Sequence, residues 1–173
     1  MKIDNIILIG LMGAGKSTIG KLLTEQLNNF SFVDIDNLIE KNTNMSINDI
    51  FNIHSESFFR EKEYETIQEI IKNKNQVISL GGGAFENSKT RELLASNGVI
   101  FYLKASPKTL YSRIKNEKNR PLLKTIDPEL TLAELLKIRE QNYLKANYII
   151  DTNSIAPYNI VKNILGKLNE HNN

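Results

Sequence analysis

Residues 10–18 read Gly-Leu-Met-Gly-Ala-Gly-Lys-Ser-Thr and follow directly on the apolar run Ile6-Ile7-Leu8-Ile9. A glycine, four residues and then Gly15-Lys16-Ser17 is the spacing of a loop that cradles phosphates. Gly10, Gly13 and Gly15 let the main chain turn tightly and aim successive N–H groups at phosphate oxygens. The helix starting near Lys16 adds the positive end of its dipole. Lys16 has the reach to meet the terminal phosphates of a nucleoside triphosphate, and Ser17 can hold magnesium. An ordinary glycine-rich turn between a strand and a helix is the plainer alternative. The strand before the segment and the amphipathic helix after it are what the phosphate loop requires.

Four further groups carry chemical potential. Asp34-Ile35-Asp36 closes a second apolar run, and two carboxylates spaced i, i+2 on extended backbone point the same way. One of them could hold magnesium through water and the other could meet a substrate hydroxyl. Alternatively, Asp36 caps a helix beginning at Asn37. Gly81-Gly82-Gly83 ends a third run, where three glycines cost backbone entropy and open the main chain either to a ligand or merely to a loose turn. In Phe58-Phe59-Arg60-Glu61-Lys62-Glu63, Arg60 can grip a carboxylate bidentately while Glu63 steadies it. A solvated ion-pair face fits that spacing better when it is taken alone. The charged stretch from Arg113 to Lys124, with Arg120-Pro121-Leu122-Leu123 inside it, fits a lid over phosphates and also fits any exposed loop. Arg139 follows on a helix as an outwardly ordinary surface position. The two histidines, His54 and His171, show no pattern of metal ligation or of general-base work.

The elements that must position these groups are legible from periodicity. Short apolar runs without strict alternation occur at Ile6–Ile9, Phe32–Asp34, Val77–Leu80, Val99–Leu103 and Tyr148–Ile150, as expected of strands covered on both faces. Helical patterns lie between them. Ile19, Leu22, Leu23 and Leu27 mark one helix face. Ser46 and Asp49 form a capping-box-like start. A helix from about Glu56 carries Tyr64, Ile67 and Ile71 on one stripe. Ser106-Pro107 begins another, through Ile114. Further helices run through Leu132, Leu135, Leu136 and Ile138, and from about Pro157 to Leu168. This alternation predicts a three-layer α/β/α sandwich around a five-stranded parallel sheet, in one domain. Ligands then belong at the carboxyl ends of the strands, which is where Asp34, Asp36 and Gly81–Gly83 fall.

Bulk properties agree. A chain of 173 residues, 40% hydrophobic, can bury one sizeable core. A net charge of +2 is too close to neutral to argue for a nucleic-acid or membrane-surface partner, and neither is expected. The absence of cysteine excludes disulfides and thiolate metal sites. The apolar runs fall short of a membrane span. Met1-Lys2-Ile3-Asp4-Asn5 leads straight into the first strand, so no signal peptide and a cytoplasmic location are expected. Without an obvious apolar surface stripe, a monomer is expected.

Taken together, the segments resemble the shikimate kinases, a branch of the nucleoside-monophosphate-kinase-like P-loop proteins. The resemblance runs from Ile6 to about Pro157. It is carried by Gly10–Thr18, Asp34-Ile35-Asp36, Phe59-Arg60-Glu61-Lys62-Glu63, Gly81-Gly82-Gly83, Arg120-Pro121-Leu122-Leu123, and Arg139 with Tyr143. It implies ATP- and magnesium-dependent phosphorylation of the 3-hydroxyl of shikimate, in aromatic amino acid biosynthesis. It further implies that Gly13, Ala14, Gly15, Lys16, Ser17 and Thr18 bind ATP, with magnesium at Ser17 and Asp34. Asp36 would contact the acceptor hydroxyl. Arg60, Arg139 and the triple glycine Gly81, Gly82 and Gly83 would hold shikimate, with Glu63 orienting the arginine. Arg120 would reach the phosphates from a lid at about 113–125, and Arg113 and Pro157 would flank the nucleotide. Two departures stand out. Gln141-Asn142 precede Tyr143 without the family's usual proline, and Ile155 occupies a position near the adenine that often carries arginine. A gluconate or nucleotide kinase on the same fold, a GTP switch and a binding-only regulator are the competing readings. For the GTP switch, Asn73-Lys74-Asn75-Gln76 lacks the acid of a guanine-reading segment and precedes a strand.

Overall fold

Alternate residues of the central strand face opposite cores, and that division organises the molecule. The computed structural model describes residues 3–116 and 126–172. Strand β1 (Asn5–Ile9) is buried along its whole length. Ile6 and Leu8 pack into one apolar cluster, Ile7 and Ile9 into the other, as the two-residue strand period demands. The remaining strands are β2 (Ser31–Asp34), β3 (Gln76–Ser79), β4 (Val99–Lys104) and β5 (Tyr148–Asp151). They form one sheet in the order β2-β3-β1-β4-β5, and every pairing is parallel. The expected five-stranded parallel sheet is therefore present, with each strand within a residue or so of its predicted bounds.

Helices α1 (Lys16–Gln26), α2 (Ile35–Thr43), α3 (Ile47–Ile53), α4 (Glu56–Ile70), α5 (Ser88–Ala95), α6 (Pro107–Ile114), α7 (Pro128–Tyr143) and α8 (Pro157–Asn172) cover both faces. Ile19 and Leu23 of α1, Leu110 of α6 and Ile160 and Ile164 of α8 fill the first cluster. Ile39, Ile50, Phe59, Ile67 and Leu94, from α2 to α5, fill the second. Short polar caps start several helices: Ser46, Ser55, Asn87, Ser106 and Asp127 each accept a first-turn backbone N–H. Helix α5 and the 3-10 turn Ala84–Glu86 before it have no counterpart in the periodicity reading. Both are short, and Ser88–Ala95 buries only Thr90 and Leu94, too few positions to register a stripe.

The sheet order sets out the site. Because β1 lies between β3 and β4, the loop leaving β1 stands between two half-sites, one following β2 and β3 and the other following β4 and β5. No helix among the described residues is long and apolar enough to cross a membrane. Arg120, and all but the first residues of the 113–125 segment expected as a lid, lie outside the described residues.

Candidate active site

Gly10, Gly13 and Gly15 adopt φ of 142°, 79° and 91°, backbone that side chains resist. Gly13 also has no room: a Cβ there would lie 2.8 Å from the Leu110 carbonyl oxygen. The turn delivers Gly15 as the left-handed N-cap of α1, and the first N–H groups of that helix open onto a cavity of about 630 Å³. Lys16 folds back over its own loop, its Nζ donating to the carbonyls of Gly10 at 2.9 Å and Leu11 at 3.2 Å. The ammonium is thereby held above the anion-binding turn.

Asp34 and Asp36 reach the cavity by different routes, which corrects the sequence expectation. They do not share an extended segment: Asp34 ends β2, and Asp36 lies in the first turn of α2. The cap is also Asp34, whose Oδ1 accepts from Asn37 N at 3.4 Å. Its other oxygen, Oδ2, accepts from Ser17 Oγ at 2.7 Å. Two hard oxygens side by side at the mouth of a phosphate loop suit magnesium, which binds through one or two protein oxygens and takes the rest from phosphate and water. Among the described residues no group of three or more His, Cys, Asp or Glu is arranged around a metal.

Asp36 turns instead toward Gly81. A Cβ on Gly81 would lie 2.7 Å from Asp36 Oδ1 and 2.8 Å from Glu63 Oε1, and a Cβ on Gly83 would run into the Arg60 guanidinium. The glycine run is thus a wall thinned to admit two carboxyls and an arginine, not a loose turn. Arg60 Nη1 donates to Glu63 Oε2 at 2.8 Å, and Arg60 also reaches Glu56 Oε1 at 3.3 Å. The solvated-face alternative fails here, because the Glu63 side chain is only 4% exposed. Burial raises the Glu63 pKa to about 7, against the pull of Arg60, and Asp36 pushes the same way as burial.

Arg139, expected to look like a surface residue, is half-buried and lines the cavity. It lies near Gly82, where a Cβ would come 3.2 Å from Arg139 Nη1. Tyr143, one turn further along α7, donates to the Gly82 carbonyl. Burial pushes the Tyr143 phenol up to about 12, with Arg139 opposing, so it remains a donor. The i+4 spacing of Arg139 and Tyr143 puts them on one helix face. Asn142 ties the same helix to Glu86 Oε2 at 3.0 Å.

On the β4–β5 side, Arg113 donates to the Gly13 carbonyl at 3.2 Å and to the Thr152 carbonyl at 2.6 Å. Thr152 is fully buried and fastened to the Lys104 carbonyl; nothing in its sequence context marks it. Ile155 and Pro157 line the same end. The sequence-predicted residues therefore converge on one cleft, apart from Arg120, which lies outside the described residues.

One consequence can be measured on the protein alone. A carboxyl whose folded pKa is raised stabilises the fold fully below its unfolded value of 4.5 and loses that contribution as pH rises toward about 7. Glu63→Gln should therefore gain stability relative to the parent between pH 4.5 and pH 7, by roughly 1–3 kcal/mol. Paired thermal melts at pH 5 and pH 8 check it; an equal difference at both would refute the buried, reluctantly ionised Glu63.

Comparison with known proteins returns the same answer from several directions. The family model described as shikimate kinase matches residues 12–169. The shikimate kinase of Thermodesulfovibrio yellowstonii is 44% identical over 161 residues, which cover 93% of this chain and 92% of that one. A solved shikimate kinase from Acinetobacter baumannii, in complex with shikimate, superposes with a TM-score of 0.93 at 37% identity, over 98% of this chain and 95% of that one. A gluconokinase from Sinorhizobium meliloti reaches a TM-score of 0.61 at 16% identity, over 96% of this chain and 92% of that one, and shares the fold alone. Likeness this high in sequence and in backbone, over nearly the full length of both partners, places the chain among ATP-dependent kinases: it belongs to the shikimate kinase family.

Proposed function

We propose that the protein transfers the γ-phosphoryl group of ATP to the 3-hydroxyl of shikimate, in aromatic amino acid biosynthesis, acting as a monomer in the cytoplasm. The observation that carries this reading is the single cleft in which a phosphate loop and an arginine-lined pocket flank Asp36.

Phosphoryl transfer needs alignment and charge neutralisation more than covalent chemistry. In this reading the N–H groups of residues 13–18 and the Lys16 ammonium take up charge on the phosphates. Ser17 and Asp34 would hold magnesium, whose chemistry is to neutralise the phosphate oxygens. Arg60 and Arg139 grip the carboxylate of shikimate, against the main chain of Gly81, Gly82 and Gly83. Asp36 aligns the hydroxyl and receives its proton. Arg113 and Pro157 flank the nucleotide base, with Ile155 adding apolar contact. Arg120 is assigned the phosphate contact that the family resemblance implies. Expulsion of water matters, because an open site would hydrolyse ATP.

A coupled ADP-release assay with magnesium-ATP against shikimate, gluconate, AMP and water alone tests the proposal. Shikimate should be the one acceptor that strongly accelerates ADP formation; equal rates with water would refute it. Arg60→Lys should raise the KM for shikimate by about tenfold or more, since lysine keeps the charge but loses the two-pronged geometry. An unchanged KM would remove Arg60 as the carboxylate anchor.

A further inference from the structure

The three carbonyls of the glycine wall after β3 are held in two different ways. Those of Gly81 and Gly83 accept from the N–H groups of Ala84 at 3.2 Å and Glu86 at 3.1 Å, within the turn itself. The Gly82 carbonyl between them is held by a side chain from α7, the Tyr143 hydroxyl. Gly82 and Gly83 both lack a positive φ, and Gly83 sits at φ −101° and ψ −12°. A peptide between two glycines turns over without a side chain of its own in the way. Turning it over carries Gly83 from that φ into the left-handed region, which glycine enters freely. The local chain therefore permits two orientations of this peptide, and Tyr143 selects one.

In a trans peptide the C=O and the N–H point opposite ways. Gly82 and Gly83 line the cleft, and Tyr143 stands outside its lining. With the carbonyl drawn back to Tyr143, the Gly83 N–H is turned the other way. That N–H has no main-chain acceptor among the described residues. The lock is firmly seated: Tyr143 is 1% exposed and packs on the Tyr102 ring, with centroids 5.0 Å apart. Arg139, one turn earlier on α7, lies over the same glycine. A Cβ on Gly82 would be 3.2 Å from Arg139 Nη1 and 3.7 Å from Tyr143 Oη. Asn142 ties the helix to Glu86 at the end of the same turn, at 3.0 Å.

We propose that Tyr143 is a positioning residue for the acid substrate: its hydroxyl locks the Gly82–Gly83 peptide so that the Gly83 N–H, and not a carbonyl oxygen, faces the substrate carboxylate beside Arg60 and Arg139. The inference rests on the phosphotransfer reading and extends it to a residue behind the wall. Tyr143 acts through the peptide and touches no substrate. An N–H in that place adds to the grip of the two arginines, whereas an oxygen there would repel the anion. Without the hydroxyl, the Gly82 carbonyl is left against an aromatic ring with no donor, and a buried unpaired carbonyl is costly. Turning over toward the cleft relieves that cost, and the loss then appears in substrate affinity.

The test uses the full chain with magnesium-ATP and shikimate, followed by ADP release. Tyr143→Phe keeps the ring and its packing on Tyr102 and removes only the hydroxyl. The KM for shikimate should rise by about tenfold or more, with kcat at saturating shikimate within about threefold and the KM for ATP within about twofold. Tyr102→Phe is the control, because the Tyr102 hydroxyl is buried with no hydrogen-bond partner among the described residues; its KM for shikimate should not change. An unchanged KM in Tyr143→Phe would overturn the lock. So would an equal rise in Tyr102→Phe, which would trace the effect to the packing of the aromatic pair. A fall in kcat with the KM for shikimate unmoved would overturn it as well. If Tyr143→Phe does not fold, amide exchange on the parent decides: shikimate should protect the Gly83 N–H, and an unprotected Gly83 would refute the proposed orientation. A parent with no shikimate-dependent ADP release would sink the phosphotransfer reading itself, a result distinct from any outcome with the variants.

Discussion

Lys16→Met should lower kcat by about 10³-fold while leaving the fold intact, the scale of other phosphate clamps that act in the transition state. Methionine roughly conserves the length and apolar body of the lysine stem, so the packing around the loop survives. What disappears is the ammonium that Gly10 and Leu11 hold over the turn. That charge is worth most when negative charge shifts along the transferring phosphoryl in a site closed to water. The KM for ATP should rise far less than kcat falls, because the loop N–H groups still bind the phosphates. Steady-state ADP release, with circular dichroism to confirm folding, checks it. Turnover within about tenfold of the parent would remove Lys16 from the chemistry.

Asp36→Asn should lower kcat by about 10²- to 10³-fold with little change in the KM for shikimate. The amide is nearly isosteric and still fits above Gly81, where added bulk is not tolerated. It can align the hydroxyl but takes no proton. The contact between Ser17 and Asp34 at 2.7 Å is untouched, so ATP binding should persist. If the same substitution raised KM and spared kcat, Asp36 would be a substrate holder and the proton would leave by another route.

The relation between Asp34 and Asp36 separates what a sequence reveals from what a fold adds. Their nearness to the phosphate loop followed from their place at the end of a strand, because parallel α/β sheets bind ligands at the carboxyl ends of their strands. Their division of labour did not. The chain switches from strand to helix between them, and that single change of dihedral sends one side chain to Ser17 and the other to Gly81. Arg60 and Glu63 make the same point: at i, i+3 they read as a surface ion pair, and only the packing of α4 against α2 and the Gly81 loop buries Glu63.

Local rules and strand periodicity were enough to determine the five strands, the phosphate loop, several helix starts and the parallel three-layer arrangement. These depend on neighbours a few residues apart, whose geometry the backbone imposes directly. Tertiary structure alone decided which polar residues left water: Glu63 at about pH 7, Tyr143 against the Gly82 carbonyl, and Thr152 under Arg113. Desolvation depends on everything that packs around a group, and its partners here come from distant parts of the chain, as Tyr143 and Gly82 do at 61 residues apart. No local pattern encodes that environment, so the ionisation of the site belongs to the fold.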